Sequence, residues 1–533
     1  MKESIQQAFE EWKTLLGEER VRPDEATINQ YGRTTLPGAT TPLGVVFPST
    51  TYEVQEIVRI AAQAGISIYP ISRGKNWGYG DACPVTEGQV IVDLSHMNGI
   101  IEVNEDLAYA VIESGVTQEQ LYRYLEESHP GLMFDCTGSG PEASIVGNTL
   151  ERGFGHTPYG DHFLYSCGME VVLSDGKILN TGFGHYRNAR TSHVFKWGIG
   201  PYLDGLFTQS NMGIVTKMGI WLMPRPESVK MFYLTLPGEY ALPDIVETLR
   251  PLRLQGIIKS IVHIANDLRV ISSFQGYPWE RAGGRTPLPD DLRRSLRQEM
   301  KIGAWNISGA IYGTSKQVRV YQNIIKKQMR DLGRVRFMGK KSVALAGRLG
   351  NMMEKMGKEQ GLLLKIRSLE KVYGLLNGRP TEAFMKGTLW RTPEDREAHF
   401  QDPLDNNVGL IWISPILPST GEAARNLMDQ VNPVFSKYGF EPLVTLSLIT
   451  ERAMVSVMSI SYNKEDPVEA QNAQNCYSEL FDALMSSGYV PYRSSIHSMH
   501  RLAEGSEIFW DVNRDIKQVL DPQGIIAPGR YQP

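Results

Sequence analysis

A short segment rich in glycine is the best candidate for a ligand-binding loop. Gly74, Gly78 and Gly80 lie within eight residues, directly after a predicted strand. Glycine lets backbone N–H groups approach a phosphate closely and permits turns with positive φ. Arg73 and Lys75 would add positive charge. The spacing matches neither a Walker A loop nor GxGxxG, so a phosphate-binding loop and a tight turn between strands are equally good interpretations.

A second segment, residues 147–162, has four glycines beside two histidines, an arginine and Asp161. This composition is unusual for a simple linker. A carboxylate on such a loop can act as a general base or set the charge state of a neighbour. The alternative for Asp161 is an ordinary Asx-turn or helix cap, which is the commoner role for an isolated aspartate.

Near the C-terminus, Tyr492 directly precedes Arg493. A phenol and a guanidinium both donate hydrogen bonds, and arginine stays charged, so the pair can bind an oxyanion. His497 and His500 follow at a spacing of three. They have no carboxylate at the distance needed to complete a metal site, and we predict no metal.

The composition is that of a globular protein of two or three domains. The 533 residues are 41% hydrophobic and 21% charged, and the formal net charge is −4, which gives no reason to expect a nucleic acid partner. The four cysteines form no CxxC motif and are expected to be reduced thiols. The charged N-terminus lacks the apolar core of a signal peptide, and no apolar run is long enough to span a membrane. We therefore expect a cytoplasmic protein with no membrane partner.

The element pattern predicts an α+β fold. Residues 43–72 are predicted to form a strand, a helix and a second strand, and residues 168–182 a hairpin turning at Asp175-Gly176. Pro224 and Pro226 mark a boundary, after which a second α+β region follows. The final 40 or so residues have apolar residues around a Gly/Pro turn and are expected to return to the first region.

Several long stretches carry a resemblance to a known family. They are PISRGKNWGYGDACPV (70–85), VGNTLERGFGHTPYGDHFLYSCGMEVVLSDG (146–176), FKWGIGPYLDGLFTQSNMGIVTKMGIWLMPRP (195–226), GAWNISGAIYG (303–313), PYR (491–493) and DPQGIIAPGR (521–530). Together they resemble the vanillyl-alcohol oxidase and 4-cresol dehydrogenase flavoproteins. The resemblance implies a PCMH-type FAD-binding domain over residues 1–225, a substrate-cap domain inserted over 226–487, and a return to the first domain over 488–533.

The resemblance also implies which residues contact FAD. The glycine-rich loop would wrap the pyrophosphate, Ile214 would contact the adenosine end, and a basic residue would lie near the flavin pyrimidine ring. The implied cofactor-binding residues are Ser72, Arg73, Gly74, Lys75, Asn76, Gly78, Gly147, Asn148, Gly153, Gly155, Ile214 and Arg530.

The catalytic residues implied by the resemblance are Tyr79, Tyr492, Arg493 and Asp161. The first three match the residues that hold a phenolate in the family, and Asp161 matches its acid near flavin N5. Binding as phenolate would lower the pKa of the phenol. The electron-rich ring would then release a hydride from the benzylic carbon to flavin N5, leaving a p-quinone methide that takes up water or loses a proton.

The sequence departs from the family where FAD is attached covalently. The usual histidine position is Leu410 and the usual tyrosine position is Thr388, and neither side chain can form the bond. We therefore expect dissociable FAD, with His399 in an extra segment as a remote alternative anchor. A double histidine of oxidase-like members is replaced by Val455-Ser456.

The substrate pocket is expected to be reshaped as a result, with Trp412 and His497 as candidate lining residues. The leading hypothesis is the oxidation of a 4-alkylphenol or 4-hydroxybenzylic alcohol. One alternative is a phenol within a larger natural product. Another is a dehydrogenase subunit that passes electrons to a cytochrome partner. A homodimer is the expected assembly.

Overall fold

The computed structural model describes residues 2–355, 360–392, 402–503 and 506–531. The strands are β1 Val21–Arg22, β2 Gly44–Val46, β3 Ile68–Ile71, β4 Val90–Asp93, β5 Ile100–Asn104, β6 Tyr109–Glu113, β7 Leu132–Met133, β8 Ser166–Val172, β9 Ile178–Asn180, β10 Ile214–Trp221, β11 Met223–Pro224, β12 Ser228–Leu236, β13 Val262–Asn266, β14 Trp305–Gly313, β15 Arg336–Met338, β16 Val408–Ile413, β17 Ile416–Pro418, β18 Leu443–Leu448 and β19 Ala453–Asn463. The α-helices are α1 Lys2–Leu16, α2 Glu25–Tyr31, α3 Thr51–Ala64, α4 Gln118–Ser128, α5 Ile145–Leu150, α6 Leu242–Leu254, α7 Asp267–Ser272, α8 Trp279–Ala282, α9 Asp290–Glu299, α10 Ser315–Gln328, α11 Lys340–Lys355, α12 Gln360–Leu375, α13 Gly421–Lys437, α14 Pro467–Ser486 and α15 Glu507–Leu520.

The first sheet has the order β1-β2-β4-β3, with β4 parallel to both β2 and β3. Helix α3 connects β2 to β3, as the sequence predicts. Thr50 caps it by accepting a hydrogen bond from the Glu53 backbone N–H, and Gly65 ends it in the left-handed conformation. The apolar stripe of α3 packs with α1 against these strands, and Trp12 is fully buried there. The end of β3 leads directly into the glycine-rich loop.

The second sheet is antiparallel with the order β5-β6-β10-β8-β9. Its β8–β9 hairpin turns at Asp175 and Gly176, as predicted. Gly176 has φ +75°, and its N–H donates to the Leu173 carbonyl at 2.9 Å. In the first sheet, β4 ends at Asp93, because the residues after it form a 3-10 turn whose Ser95 N–H donates to the Asp93 carboxylate.

The largest sheet has eight antiparallel strands in the order β15-β12-β14-β13-β18-β19-β16, with β17 also paired to β19. All of them fall within residues 228–463. Helices α6, α13 and α14 pack against this sheet and bury an apolar core that includes Phe232, Phe435 and Leu480. Helices α11 and α12, between β15 and β16, have no counterpart in the elements that the sequence predicts.

The C-terminal segment packs back against the first sheet. The Ile68 N–H donates to the Ile525 carbonyl at 2.8 Å, and the Ala527 N–H donates to the Ile68 carbonyl at 2.7 Å. The mixture of helices with mainly antiparallel sheets confirms the α+β class, whereas the domain limits at 225 and 487 stay predictions. In the described part of the chain, no helix combines the length and the apolar character needed to cross a membrane.

Candidate functional site

A cavity of about 910 Å³ lies where the first two sheets meet the eight-stranded sheet. Its walls come from the loop after β3, from helix α5 and the turn that follows it, from β13 and β16, and from the C-terminal segment. Its volume is in the upper part of the range of about 300–1,000 Å³ seen for ligand pockets. Fourteen of the predicted site residues line it: Ser72, Arg73, Gly74, Lys75, Asn76, Tyr79, Gly147, Asn148, Gly153, Ile214, Trp412, Tyr492, Arg493 and Arg530.

The glycine-rich loop presents unpaired backbone donors to this cavity. Among the described residues, the N–H groups of Gly74, Lys75, Asn76 and Trp77 find no hydrogen-bond acceptor. Gly74 has φ +64°, a conformation that glycine adopts without strain. A run of free N–H groups on such a loop is suited to an anion such as a pyrophosphate.

Two contacts hold the loop in place. The Asp402 carboxylate accepts from the Trp77 indole N–H at 3.0 Å and from Lys75. At the other end, the Gly78 N–H donates to Thr35 Oγ1 at 2.7 Å. Gly78 itself does not line the cavity. A Cβ there would lie 2.2 Å from Trp412 Cδ1, so the absence of a side chain lets Trp412 pack against the loop.

Tyr79, Tyr492 and Arg493 come together at one end of the cavity. The Arg493 guanidinium carbon lies 4.4 Å from the centre of the Tyr79 ring. The Tyr79 hydroxyl is 2.9 Å from Ser414 Oγ, and the Tyr492 N–H donates to the Ser414 carbonyl at 3.0 Å. Burial raises the pKa of Tyr79 well above its usual value, so this phenol stays protonated and can donate. We call these three residues the clamp.

Glu151 contacts the clamp through Arg493, and the sequence did not single it out. It lines the cavity and accepts hydrogen bonds from Arg493 Nε at 3.2 Å, from Arg530 and from the Tyr531 hydroxyl at 3.0 Å. Arg530 also donates to the Tyr69 hydroxyl at 2.6 Å. The carboxylate therefore balances two arginines on the cavity wall.

A pair of histidines forms another part of the wall. His156 Nδ1 lies 2.7 Å from His263 Nε2, and His263 Nδ1 lies 2.9 Å from Ser447 Oγ. Burial lowers the pKa of His156 to about 4 and that of His263 well below its usual value. Both rings are therefore neutral near pH 7, and His156 Nε2 has no hydrogen-bond partner among the described residues.

Beneath this wall, the buried carboxylate of Asp135 organises the second glycine-rich segment. It accepts from the backbone N–H groups of His156 and Thr157, and His162 Nε2 lies 2.8 Å from it. Burial opposes ionisation of Asp135, but the hydrogen bond to His162 and the donors around it hold the pKa below its usual value. A Cβ on Gly155 would lie 1.4 Å from Asp135 Oδ2. Gly155 therefore makes room for this carboxylate and does not line the cavity.

Two other predicted site residues lie away from the cavity. Asp161 forms an isolated bridge with Phe154, and its carboxylate accepts from the Leu164 N–H at 3.1 Å. This is the capping role that the sequence leaves open, so the structure gives Asp161 no contact with the cavity. His497 lines a separate cavity of about 260 Å³. His399 lies outside the described residues.

Arg269, His263 and Asp81 also line the cavity but are not among the predicted site residues. Burial raises the pKa of Asp81 to about 7, against the donors Thr34 and Thr35 that hydrogen-bond to it. Sequence reasoning missed Arg269 and His263 because they lie in an ordinary helix and strand with no diagnostic spacing, whereas Asp81 directly follows the glycine-rich loop and was passed over. Across the described residues, no cluster of three or more His, Cys, Asp or Glu side chains could hold a metal ion.

Comparisons with known proteins identify the fold. A family model described as an FAD binding domain matches residues 42–182. The chain is 33% identical over 529 residues to the 4-cresol dehydrogenase (hydroxylating) flavoprotein subunit of Pseudomonas putida, covering 98% of this chain and 94% of that protein. The chain belongs to this PCMH-type FAD-binding flavoprotein family. The family resemblance read from the sequence is thereby confirmed, and so is FAD as the cofactor of an oxidoreductase.

Two further matches cover nearly the whole flavoprotein. The crystal structure of p-cresol methylhydroxylase with substrate bound matches with a TM-score of 0.89 and 32% identity, over 100% of this chain and 97% of that one. A 1'-carboxy-chondrochloren decarboxylase of Chondromyces crocatus is 36% identical over 533 residues, 99% of this chain and 97% of that protein. The cavity residues fit FAD, because the free N–H groups of the glycine-rich loop suit its pyrophosphate and Arg530 supplies a positive charge.

Proposed function

We propose that this flavoprotein oxidises a para-substituted phenol at its benzylic carbon. The observation that carries the proposal is the clamp, in which Tyr79 and the distant pair Tyr492-Arg493 line a single cavity. Phenol oxidation is also what the names of the Pseudomonas putida relative and of p-cresol methylhydroxylase describe. The clamp residues account chemically for the first step of such a reaction.

The clamp favours the phenolate form of a bound phenol. Arg493 carries a permanent positive charge, and the protonated Tyr79 hydroxyl can donate a hydrogen bond. Both interactions are stronger with an anion than with a neutral hydroxyl, so the pKa of the bound phenol falls. Glu151 accepts from the Arg493 Nε atom at 3.2 Å and Asn76 Oδ1 accepts from its Nη2 atom, which leaves the Nη1 N–H groups of the guanidinium for the substrate.

When bound, FAD supplies the hydride acceptor, its N5 atom. The chain's residues prepare the substrate for that transfer by stabilising the phenolate, whose ring electrons allow hydride loss from the benzylic carbon of the para substituent and formation of a p-quinone methide. His156 Nε2, neutral and unpaired on the cavity wall, is placed to accept or relay a proton when water adds or an alkene forms. We propose His156 for this role in place of Asp161, which does not line the cavity.

A larger substrate is the second candidate. The Chondromyces crocatus relative is named as a decarboxylase of 1'-carboxy-chondrochloren. A phenol carried on a larger molecule would use the same clamp and the same benzylic oxidation. Electron transfer to a cytochrome partner, a homodimeric assembly and dissociable FAD remain proposals of the same kind.

The decisive experiment replaces Tyr492 with phenylalanine in the FAD-loaded protein. We expect kcat/KM for 4-alkylphenols to fall by about 10- to 100-fold, which corresponds to the free energy that a hydrogen bond to a charged group usually contributes. Tyr489→Phe is the matched control, since Tyr489 precedes the clamp and does not line the cavity. Unchanged turnover of every phenol by Tyr492→Phe would overturn the proposed function.

A further inference from the structure

Arg269 in helix α7 is an unpaired cation on the wall of the cavity. Its Nη1 atom is buried and has no hydrogen-bond partner among the described residues. Its guanidinium carbon lies 5.2 Å from the centre of the Trp412 ring. The neighbouring acid, Asp267, is already paired with Arg293 and Arg297, so it is not available to Arg269.

In the described part of the chain, three other largely buried arginines have oxygen partners. Arg391 pairs with Glu441, Arg493 pairs with Glu151, and Arg253 donates to backbone carbonyls. Arg269 has no such partner, and burial alone lowers its pKa to about 10, so it stays charged at neutral pH. Burying a charge without a counter-ion is costly. Since Arg269 lines the cavity, an anion bound there could supply the missing counter-ion.

The position of this charge relates it to the clamp. Trp412, which contacts Arg269, and Ser414, which contacts the Tyr79 hydroxyl, are alternate residues of one extended segment, and both line the cavity. Alternate residues of a strand are about 7 Å apart, a separation similar to the length of a phenol ring. A ring whose oxygen lies at the clamp can therefore direct its para substituent toward Trp412 and Arg269.

We propose that Arg269 binds a carboxylate on the para side chain of the substrate, so that this enzyme selects acidic phenols over neutral ones. The inference rests on the proposed function, because the clamp orients the ring. A guanidinium matches a carboxylate with two parallel hydrogen bonds. Arg269 lines the cavity, so the part of its guanidinium that faces the cavity would then gain the partner that the protein does not provide.

The test compares ligands with the same ring and chain length on the FAD-loaded protein. Binding of 3-(4-hydroxyphenyl)propanoate and of its methyl ester is measured from the change in flavin absorbance. We expect the acid to bind about 10-fold or more tightly than the ester, and Arg269→Met to remove that preference by weakening the acid alone about 10- to 100-fold. Arg269→Lys keeps the charge without the paired donors and should lie between the two.

Arg336→Met is the matched control, since it removes an equal charge from an exposed position at the edge of the same cavity, and it should keep the preference for the acid. Equal binding of acid and ester by the unmodified protein overturns the inference. Loss of bound FAD in both Arg269 variants also overturns the inference, because it would assign the guanidinium to a cofactor phosphate. A different pair of results would overturn the proposed function alone. In that case Tyr492→Phe leaves phenol turnover unchanged, and Arg269→Met still weakens the binding of 3-phenylpropanoate, which has no phenol hydroxyl.

Discussion

Glu151 and Arg493 form an ion pair on the wall of the cavity, with Arg493 Nε 3.2 Å from Glu151 Oε2. Their side chains are 9% and 12% exposed, so the pair is largely shielded from water. The same carboxylate also serves Arg530 and Tyr531. Glu151 therefore links the clamp to the C-terminal segment, and its charge is needed by two arginines at once.

Replacing Glu151 with glutamine should destabilise the protein markedly. Removing one partner from a buried ion pair leaves an uncompensated charge, which costs about 3–5 kcal/mol. The measurement is the urea midpoint of the FAD-loaded protein. Glu142→Gln is the control, because Glu142 pairs with Arg73 at 60% exposure and should cost less than about 1 kcal/mol. Equal losses of unfolding free energy in the two variants would show that the Glu151 carboxylate does not compensate the charges of Arg493 and Arg530.

Gly155→Ala should disrupt the second glycine-rich segment. The added Cβ would overlap the Asp135 carboxylate, which must then move away from the N–H groups it accepts. We expect a loss of about 1–3 kcal/mol in the free energy of unfolding. Gly131→Ala is the control, because its Cβ would meet nothing within 4 Å, and it should stay within about 0.5 kcal/mol. A Gly155→Ala protein as stable as the control would contradict the packing role of Gly155.

The histidine pair predicts a loss of stability in mild acid. In the folded protein, burial lowers the pKa of His156 to about 4, whereas an unfolded histidine binds a proton near pH 6.5. The unfolded state therefore takes up more protons as the pH falls from about 6.5 to about 4. Each such proton costs about 1.4 kcal/mol of stability per pH unit.

His156→Gln should make the urea midpoint depend less steeply on pH in that window, because the variant lacks one of the buried imidazoles. Midpoints measured at intervals from pH 7.5 to pH 4.5 test this. His185→Gln, at an exposed position, should follow the unmodified protein. An unchanged slope in His156→Gln would mean that its imidazole is not held neutral by burial.

Precipitation in acid should release FAD into the supernatant. Thr388 and Leu410 occupy the two positions at which family members attach the flavin, both line the cavity, and neither side chain forms such a bond. The flavin absorbance of the supernatant and pellet is the measurement. A yellow pellet would contradict this prediction, and His399→Ala would then be the first variant in which to look for release.

Much of the local structure follows from short patterns. Thr50 caps α3, and Asp175-Gly176 turns the β8–β9 hairpin, because caps and turns depend on residues only a few positions apart. The glycine-rich loop after β3 is predictable for the same reason. The family resemblance predicts FAD as the cofactor and the residues of the clamp, since the roles of residues in long matching stretches can be transferred position by position.

The tertiary structure decides which charges face the cavity. Tyr79 meets Ser414 across 335 positions, and Arg493 meets Glu151 across 342, and no local pattern encodes such pairings. For the same reason, Asp161 resembles a catalytic acid in the sequence but caps a turn in the structure. The role of Arg269 also cannot be predicted from the sequence, because its lack of a hydrogen-bond partner depends on the packing around it. The residue types and local turns are properties of short segments, whereas burial and pairing depend on how distant segments pack.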